Sequence, residues 1–129
     1  MRSPQTVLET LRKHAQEAHY QYERLYRNLY NPRLYLLAYQ NLYANKGSLQ
    51  RVEALIQKIR DRSYQPHPAR RQYIPKKSGK GLRPLGIPAA DDKLVQEAVR
   101  MILESIYEPI FQCTSHGFRP GKSCHTALS

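Results

Sequence analysis

Three prolines make the stretch from Arg70 to Pro88, RRQYIPKKSGKGLRPLGIP, the part of this chain with the least conformational choice. Each forces the residue before it out of the helical region, so Ile74, Arg83 and Ile87 are expected to be extended. Between them Gly79 and Gly81 mark Lys77 to Leu82 as a turn. The result is a hairpin over 72–88. Pro75 and Pro84 have no N–H to give to a ladder, so neither strand can be central in a sheet, and an exposed ribbon is expected. If Lys76 and Arg83 close the turn, Ile74 faces Leu85 and Gln72 faces Ile87. One surface is then cationic at the tip and apolar toward the base.

Charge says what such a ribbon meets. The 129 residues carry a formal net charge of +11, a balance that attracts polyanions. Between Lys58 and Arg83 stand Lys58, Arg60, Arg62, Arg70, Arg71, Lys76, Lys77, Lys80 and Arg83 against one acid, Asp61. Clustering on this scale points to a nucleic-acid surface rather than a solvated face. The length is that of one ordinary domain, and 40% hydrophobic content without tryptophan supports a thin core. The longest apolar run, Leu34 to Tyr39, is too short to span a membrane. Met1-Arg2-Ser3 leads into a polar amphipathic segment and not a signal-peptide core, which leaves a reducing compartment as the expectation. Two cysteines, Cys113 and Cys124, form no disulfide framework. With His116 and the adjacent His125 they make an awkward tetrahedron, so packing and helix-start roles are expected instead of a metal site.

Around the ribbon the pattern is helical. Ser3 as cap and Pro4 in the first turn open a helix with Val7, Leu8, Leu11 and Ala15 on one face, expected to run toward Tyr30. Asn31-Pro32 repeats the signal for a second helix, with Leu34, Leu37 and Ala38 apolar, ending near Asn45 to Gly47. Ser48 is expected to cap a third, in which Leu49, Val52, Ile56 and Ile59 recur at helical spacing. A fourth, 91–107, buries Leu94, Val95, Ala98, Ile102 and Ile106, with Asp91 and Asp92 as its cap and first-turn acids. Ser123 starts another. Tyr26 and Tyr30, then Tyr35, Tyr39 and Tyr43, recur every four residues, which suits helix packing and leaves some hydroxyls for phosphates. The fold class expected is α+β, mainly helical with one antiparallel β-hairpin. It divides into an N-terminal helical segment, 1–47, and a second segment, 48–129.

Four pieces in order resemble group II intron-encoded reverse transcriptases, or maturases. Leu29 to Gly47, LYNPRLYLLAYQNLYANKG, is similar to the N-terminal extra motif of these enzymes, and Tyr64 to Pro88 to their first shared polymerase motif. Asp91 to Phe111 resembles the helix that follows, and Ser115 to Leu128, SHGFRPGKSCHTAL, the second motif. RPLGIP and HGFRPGKS at this spacing are highly specific. Two departures limit the resemblance. Family members carry a Thr-x-Gly-x-Asp-Gly-x-Thr loop after the Asn-x-Gly element, whereas here Gly47 and Ser48 run straight into Leu49. The sequence also stops at Ser129, before the palm carboxylates that bind two divalent metals.

The resemblance implies the fingers subdomain of a right-hand reverse transcriptase, palm absent, serving RNA-directed DNA synthesis, intron splicing and mobility. Lys76 and Arg83 match residues that contact the triphosphate of an incoming dNTP. Compact and forked cations suit phosphate oxygens. Ile87 matches a residue that packs on the nascent pair, and Arg70 one that meets the template. Asn45, Lys46 and Gly47 match the tip of a lid over template and primer, and Phe118, Arg119 and Pro120 the second motif beside the cleft. Arg71, Lys77, Lys80 and Arg119 extend the RNA-binding set. No catalytic residue is assigned, and Mg²⁺ belongs to the complete enzyme, so this chain alone is expected to be inactive. The partners implied are group II intron RNA, an RNA template with a DNA primer, dNTP, and the palm and thumb of the same enzyme, with a homodimer left open. The setting implied is a ribonucleoprotein in the bacterial cytoplasm or an organellar matrix. A non-catalytic RNA-binding module, or a related retroelement or CRISPR-associated reverse transcriptase, is the alternative.

Overall fold

The computed structural model describes residues 2–17, 19–42, 49–77 and 79–128. Four helices of three to five turns enclose the core and a two-stranded antiparallel ribbon projects from them, so the α+β, mainly helical expectation holds. In chain order these are α1 (Pro4–His14), α2 (Pro32–Leu42), α3 (Leu49–Arg60), β1 (Arg70–Pro75), β2 (Leu82–Ile87), α4 (Ala90–Tyr107) and the short α5 (Cys124–Leu128).

Helix starts follow their local signals. Ser3 Oγ accepts from the Thr6 N–H at 3.2 Å with Pro4 in the first turn. Asn31 does the same for α2, its Oδ1 accepting from the Arg33 N–H at 3.1 Å. At Ser123 the hydroxyl accepts from the Thr126 N–H while Thr126 Oγ1 accepts from the Ser123 N–H, a reciprocal cap of the same kind. The helix expected to reach Tyr30 instead stops at His14. Tyr20 stacks on the His14 ring at 4.1 Å and the Tyr22 hydroxyl donates to the Leu11 carbonyl, folding the chain back over the helix end. A left-handed Arg24 then leads into a separate 3₁₀ helix, Leu25–Tyr30. The expected end of the second helix at Asn45 to Gly47 and the Ser48 cap lie outside the described residues.

α4 packs on α1 and α2, and α2 in turn packs on α3. Leu94, Ala98, Met101, Ile102 and Ile106 recur at helical spacing and share one buried cluster with Leu11 of α1, Leu34, Tyr35 and Ala38 of α2, and Val52, Leu55, Ile56 and Ile59 of α3. Val95, expected among them, is half-buried at the edge. The tyrosines serve this packing. Tyr26 and Tyr30 meet edge to face at 5.4 Å, and the Tyr26 hydroxyl donates at 2.7 Å to the Ile59 carbonyl, which also accepts the Arg62 N–H at the end of α3. Tyr35 is fully buried. Tyr43 lies outside the described residues.

Candidate nucleic-acid interface

The ribbon owes its shape to its prolines and glycines. β1 and β2 pair antiparallel with Arg70 opposite Ile87, Gln72 opposite Leu85, Ile74 opposite Arg83 and Pro75 opposite Leu82. This corrects the expected register by two residues. The six-residue connection is shifted one residue toward the N-terminus, 76–81 in place of 77–82: the Lys76 N–H bonds to the Gly81 carbonyl, continuing the observed register, and the Gly79 N–H turns back to the Lys76 carbonyl. Gly79 and Gly81 both take positive φ, +71° and +86°, a region that a side chain would strain. A two-residue slip leaves every side chain on its original face. Arg70, Gln72, Ile74, Arg83, Leu85 and Ile87 share one surface, which is cationic at both ends and not at the tip alone.

Of the twelve strand residues only Ile74 and Ile87 are half-buried and the rest are exposed, so the hairpin projects from the core. Arg70, Arg71, Lys76, Lys77, Lys80 and Arg83 are all exposed. None of the six has a side-chain hydrogen bond or ion pair among the described residues. The structure thus brings these predicted residues together on one projection, with Ile87 at its root. Asn45, Lys46 and Gly47 lie outside the described residues.

Arg119 is in a different situation. Its guanidinium is held by Glu108 at 2.8 and 3.1 Å, by the Gln112 and Ser115 carbonyls at 3.0 and 2.7 Å, and lies over the Phe111 ring at 5.1 Å. In turn, Arg119 draws the Glu108 carboxyl below its ordinary value. Arg119 therefore fastens the 111–120 loop to the end of α4. Next to it Phe118, in a left-handed conformation at φ 56°, points fully outward. Phe111, Phe118, Leu103 and Tyr107 border an apolar groove of about 580 Å³ along the outer face of α4.

The residue that sequence reasoning misjudged is Asp92. Ala89 caps α4 in place of either aspartate, and Asp91 and Asp92 both lie in the first turn. Asp91 pairs with Arg51 at 2.6 Å. Asp92 is only 2% exposed, accepts the Tyr64 hydroxyl, and accepts the His67 N–H at 3.0 Å with the His67 ring at 3.5 Å. The Tyr64 hydrogen bond holds its carboxyl below the ordinary value against the opposing effect of burial, with help from His67. Tyr64 is pushed up by burial and by the same bond. The backbone of Tyr64 is fixed too, its N–H bonding to the Lys58 carbonyl after a left-handed Arg62 ends α3. No signal in the local sequence joins residues 64, 67 and 92.

The other acids of α4 are also committed. Glu97 meets Arg100 at 2.8 Å and Asn41 at 3.0 Å, and Glu104 meets Arg100 at 2.5 Å. Among the described residues no three His, Cys, Asp or Glu side chains could hold a metal ion, and no helix is long and apolar enough to cross a membrane.

Fold and surface together define a small helical unit bearing an unneutralised cationic ribbon. No family model matches the chain. It is 50% identical to the group II intron-encoded protein LtrA of Lactococcus lactis subsp. cremoris over 99% of its own length and 24% of that protein. A 91 kDa protein in a cob intron of Schizosaccharomyces pombe is 43% identical over 79% of the chain and 15% of its own length. Nuclear intron maturase 1, mitochondrial, of Arabidopsis thaliana is 46% identical over 32% of the chain and 6% of its own length. By these matches the chain belongs to the group II intron-encoded reverse transcriptases and maturases. It spans about a quarter of the length of LtrA. The LtrA alignment, 143 residues, is longer than the chain, so LtrA carries residues here that this chain lacks.

Proposed function

We propose that this chain is the fingers region of an RNA-directed DNA polymerase, that it binds intron and template RNA through their phosphates, and that its hairpin orients the triphosphate of the incoming dNTP. The observation that supports this reading is the contrast between committed and uncommitted cations. Arg51, Arg100 and Arg119 are paired with acids, whereas the six cations of the ribbon face solvent. Lys76 lies just beyond the last strand pair, and Arg83 is diagonal to it on the same surface. The two can grip one triphosphate, Arg83 by a two-pronged hydrogen bond and Lys76 by charge. Ile87 and Arg70 form the opposite end of that surface, suited to base and template. Arg119 acts within the protein, holding the loop that presents Phe118.

Among the described residues no cluster of side chains suits the Mg²⁺ expected of the complete enzyme. Asp91, Asp92, Glu97, Glu104 and Glu108 are each engaged by a protein donor. Metal-dependent phosphoryl transfer belongs to the palm, so this chain binds without polymerising. The apolar groove on α4 is the face suited to the palm and thumb, and the setting is a ribonucleoprotein of the bacterial cytoplasm or an organelle.

The test is Arg83→Ala in the full-length protein. Loss of charge-assisted hydrogen bonds of about 1.5–3 kcal/mol raises the apparent KM for dNTP about 10- to 100-fold, with a smaller effect on template affinity. Equal losses for nucleotide and template would assign Arg83 to general RNA binding.

A further inference from the structure

The hairpin is joined to the core by two stems of different stiffness. On the exit side only Pro88 and Ala89 separate β2 from α4, and Pro88 fixes its own φ. On the entry side the chain runs without regular structure between Arg60 and Arg70. One side chain in the first turn of α4, that of Asp92, reaches back to the entry stem. We propose that Asp92 is the positioning residue of the hairpin: a buried carboxylate on the exit helix that grips the entry stem through Tyr64 and His67 and so sets the direction in which the tip is held. The part of this inference that concerns nucleotide rests on the function proposed above.

Each contact of Asp92 suits this role. Its oxygens accept from a side-chain hydroxyl at position 64 and a backbone N–H at position 67, so the stem is fixed at two points and not one. Tyr64 is a firm anchor because its N–H is bonded to Lys58 and its ring packs on the core. Position in the first turn of α4 lets the helix N-terminus favour the buried charge. The end of α3 does not depend on Asp92, since the Lys58 and Ile59 carbonyls already close it through Arg62, Ser63 and Tyr64. The bond to Asp92 governs direction.

Lever length makes direction matter. Five residue steps from Arg70 to Pro75 carry the tip about 17 Å from the root, and a rotation of about 10° there displaces it by roughly 3 Å. A misplacement of about 1 Å in a positioning group is enough to cost on the order of 10²-fold.

The experiment uses the full-length protein. Spin labels on Lys80→Cys at the tip and Gln96→Cys on α4, in a background free of other cysteines, report the hairpin's angle as a distance distribution. Tyr64→Phe removes only the hydroxyl, Asp92→Ala removes both bonds, and Asp92→Asn keeps an acceptor oxygen. The distribution is expected to broaden in Tyr64→Phe, to broaden further in Asp92→Ala and to be partly restored in Asp92→Asn. In unlabelled enzymes the apparent KM for dNTP rises by on the order of 10²-fold in Asp92→Ala, while template affinity changes little. Unchanged distributions in Tyr64→Phe and Asp92→Ala would overturn the proposal. If Asp92→Ala does not fold, Tyr64→Phe decides by itself. A broadened distribution with unchanged KM would retain Asp92 as the anchor and remove the nucleotide reading of the tip, so the two failures are told apart.

Discussion

A hydroxyl without a partner costs free energy only where water cannot reach it, and that of Tyr35 is such a group. The side chain is fully buried between helices and its oxygen has no hydrogen-bond partner among the described residues. Burial pushes its ionisation far up, so it stays a neutral phenol. Tyr35→Phe keeps the ring that fills the core and removes the unsatisfied oxygen, and it is expected to stabilise the protein by about 1 kcal/mol, read as a raised melting temperature. Asp92 and Glu97 show the opposite economy. Both are buried, both are satisfied, and hydrogen bonds from Tyr64 and Arg100 respectively hold them below their ordinary values. A carboxyl lowered on folding adds stability that is complete above its unfolded value and is lost as pH falls through the folded one. Melting temperature is therefore expected to be level from neutral pH down to about 4, near the unfolded values of Asp and Glu, and to fall below it. In Asp92→Asn the part of that fall due to Asp92 disappears, leaving a lower but flatter profile.

Within elements, the hairpin and α4 were legible and their relation was not. Prolines and glycines act on their own neighbours, so an exposed two-stranded ribbon could be read directly from Arg70 to Pro88. Gly81 shows how local that control is. An alanine there keeps the backbone at φ +86°, which costs roughly 1–2 kcal/mol, yet the added methyl meets nothing within 4 Å. Gly81→Ala is expected to speed amide exchange across the Gln72–Leu85 and Ile74–Arg83 pairs and to leave that of Leu94 to Ile106 unchanged. Register was misread because it depends on where the Lys76 and Gly79 amides turn, which residue spacing alone does not fix. The end of α1 was misread for a related reason: Tyr20 and Tyr22 cover it from beyond the helix, and a continuous apolar pattern does not announce that. Asp92 looked like a helix-end acid because it is one. Its other role depends on Tyr64 and His67, 28 and 25 residues away.

For the molecule as a whole, what matters is which charges remain available. Sequence shows where the cations are but not which are spent, and the structure separates Arg83 on the open ribbon from Arg119, clamped between Glu108 and two carbonyls. That separation turns a net charge into a prediction. Phosphate binding releases condensed counterions, so the logarithm of affinity falls linearly with the logarithm of salt concentration, with a slope of about −0.7 per phosphate neutralised on a single strand. If Arg70, Arg71, Lys76, Lys77, Lys80 and Arg83 each meet one phosphate, the ribbon alone contributes a slope of about −4 on single-stranded RNA. Replacing Lys76, Lys77 and Lys80 by alanine is then expected to make the slope shallower by about 2 and to weaken binding alike on unrelated sequences, because phosphates carry no base identity. Replacing Arg119 by alanine is expected to leave the slope almost unchanged and to lower the melting temperature, since its charge is already engaged by Glu108. Titrations of fluorescent RNA at several salt concentrations measure both variants. A slope unaffected by the triple substitution, or one reduced as much by loss of Arg119, would show that the open ribbon is not where the RNA backbone lies.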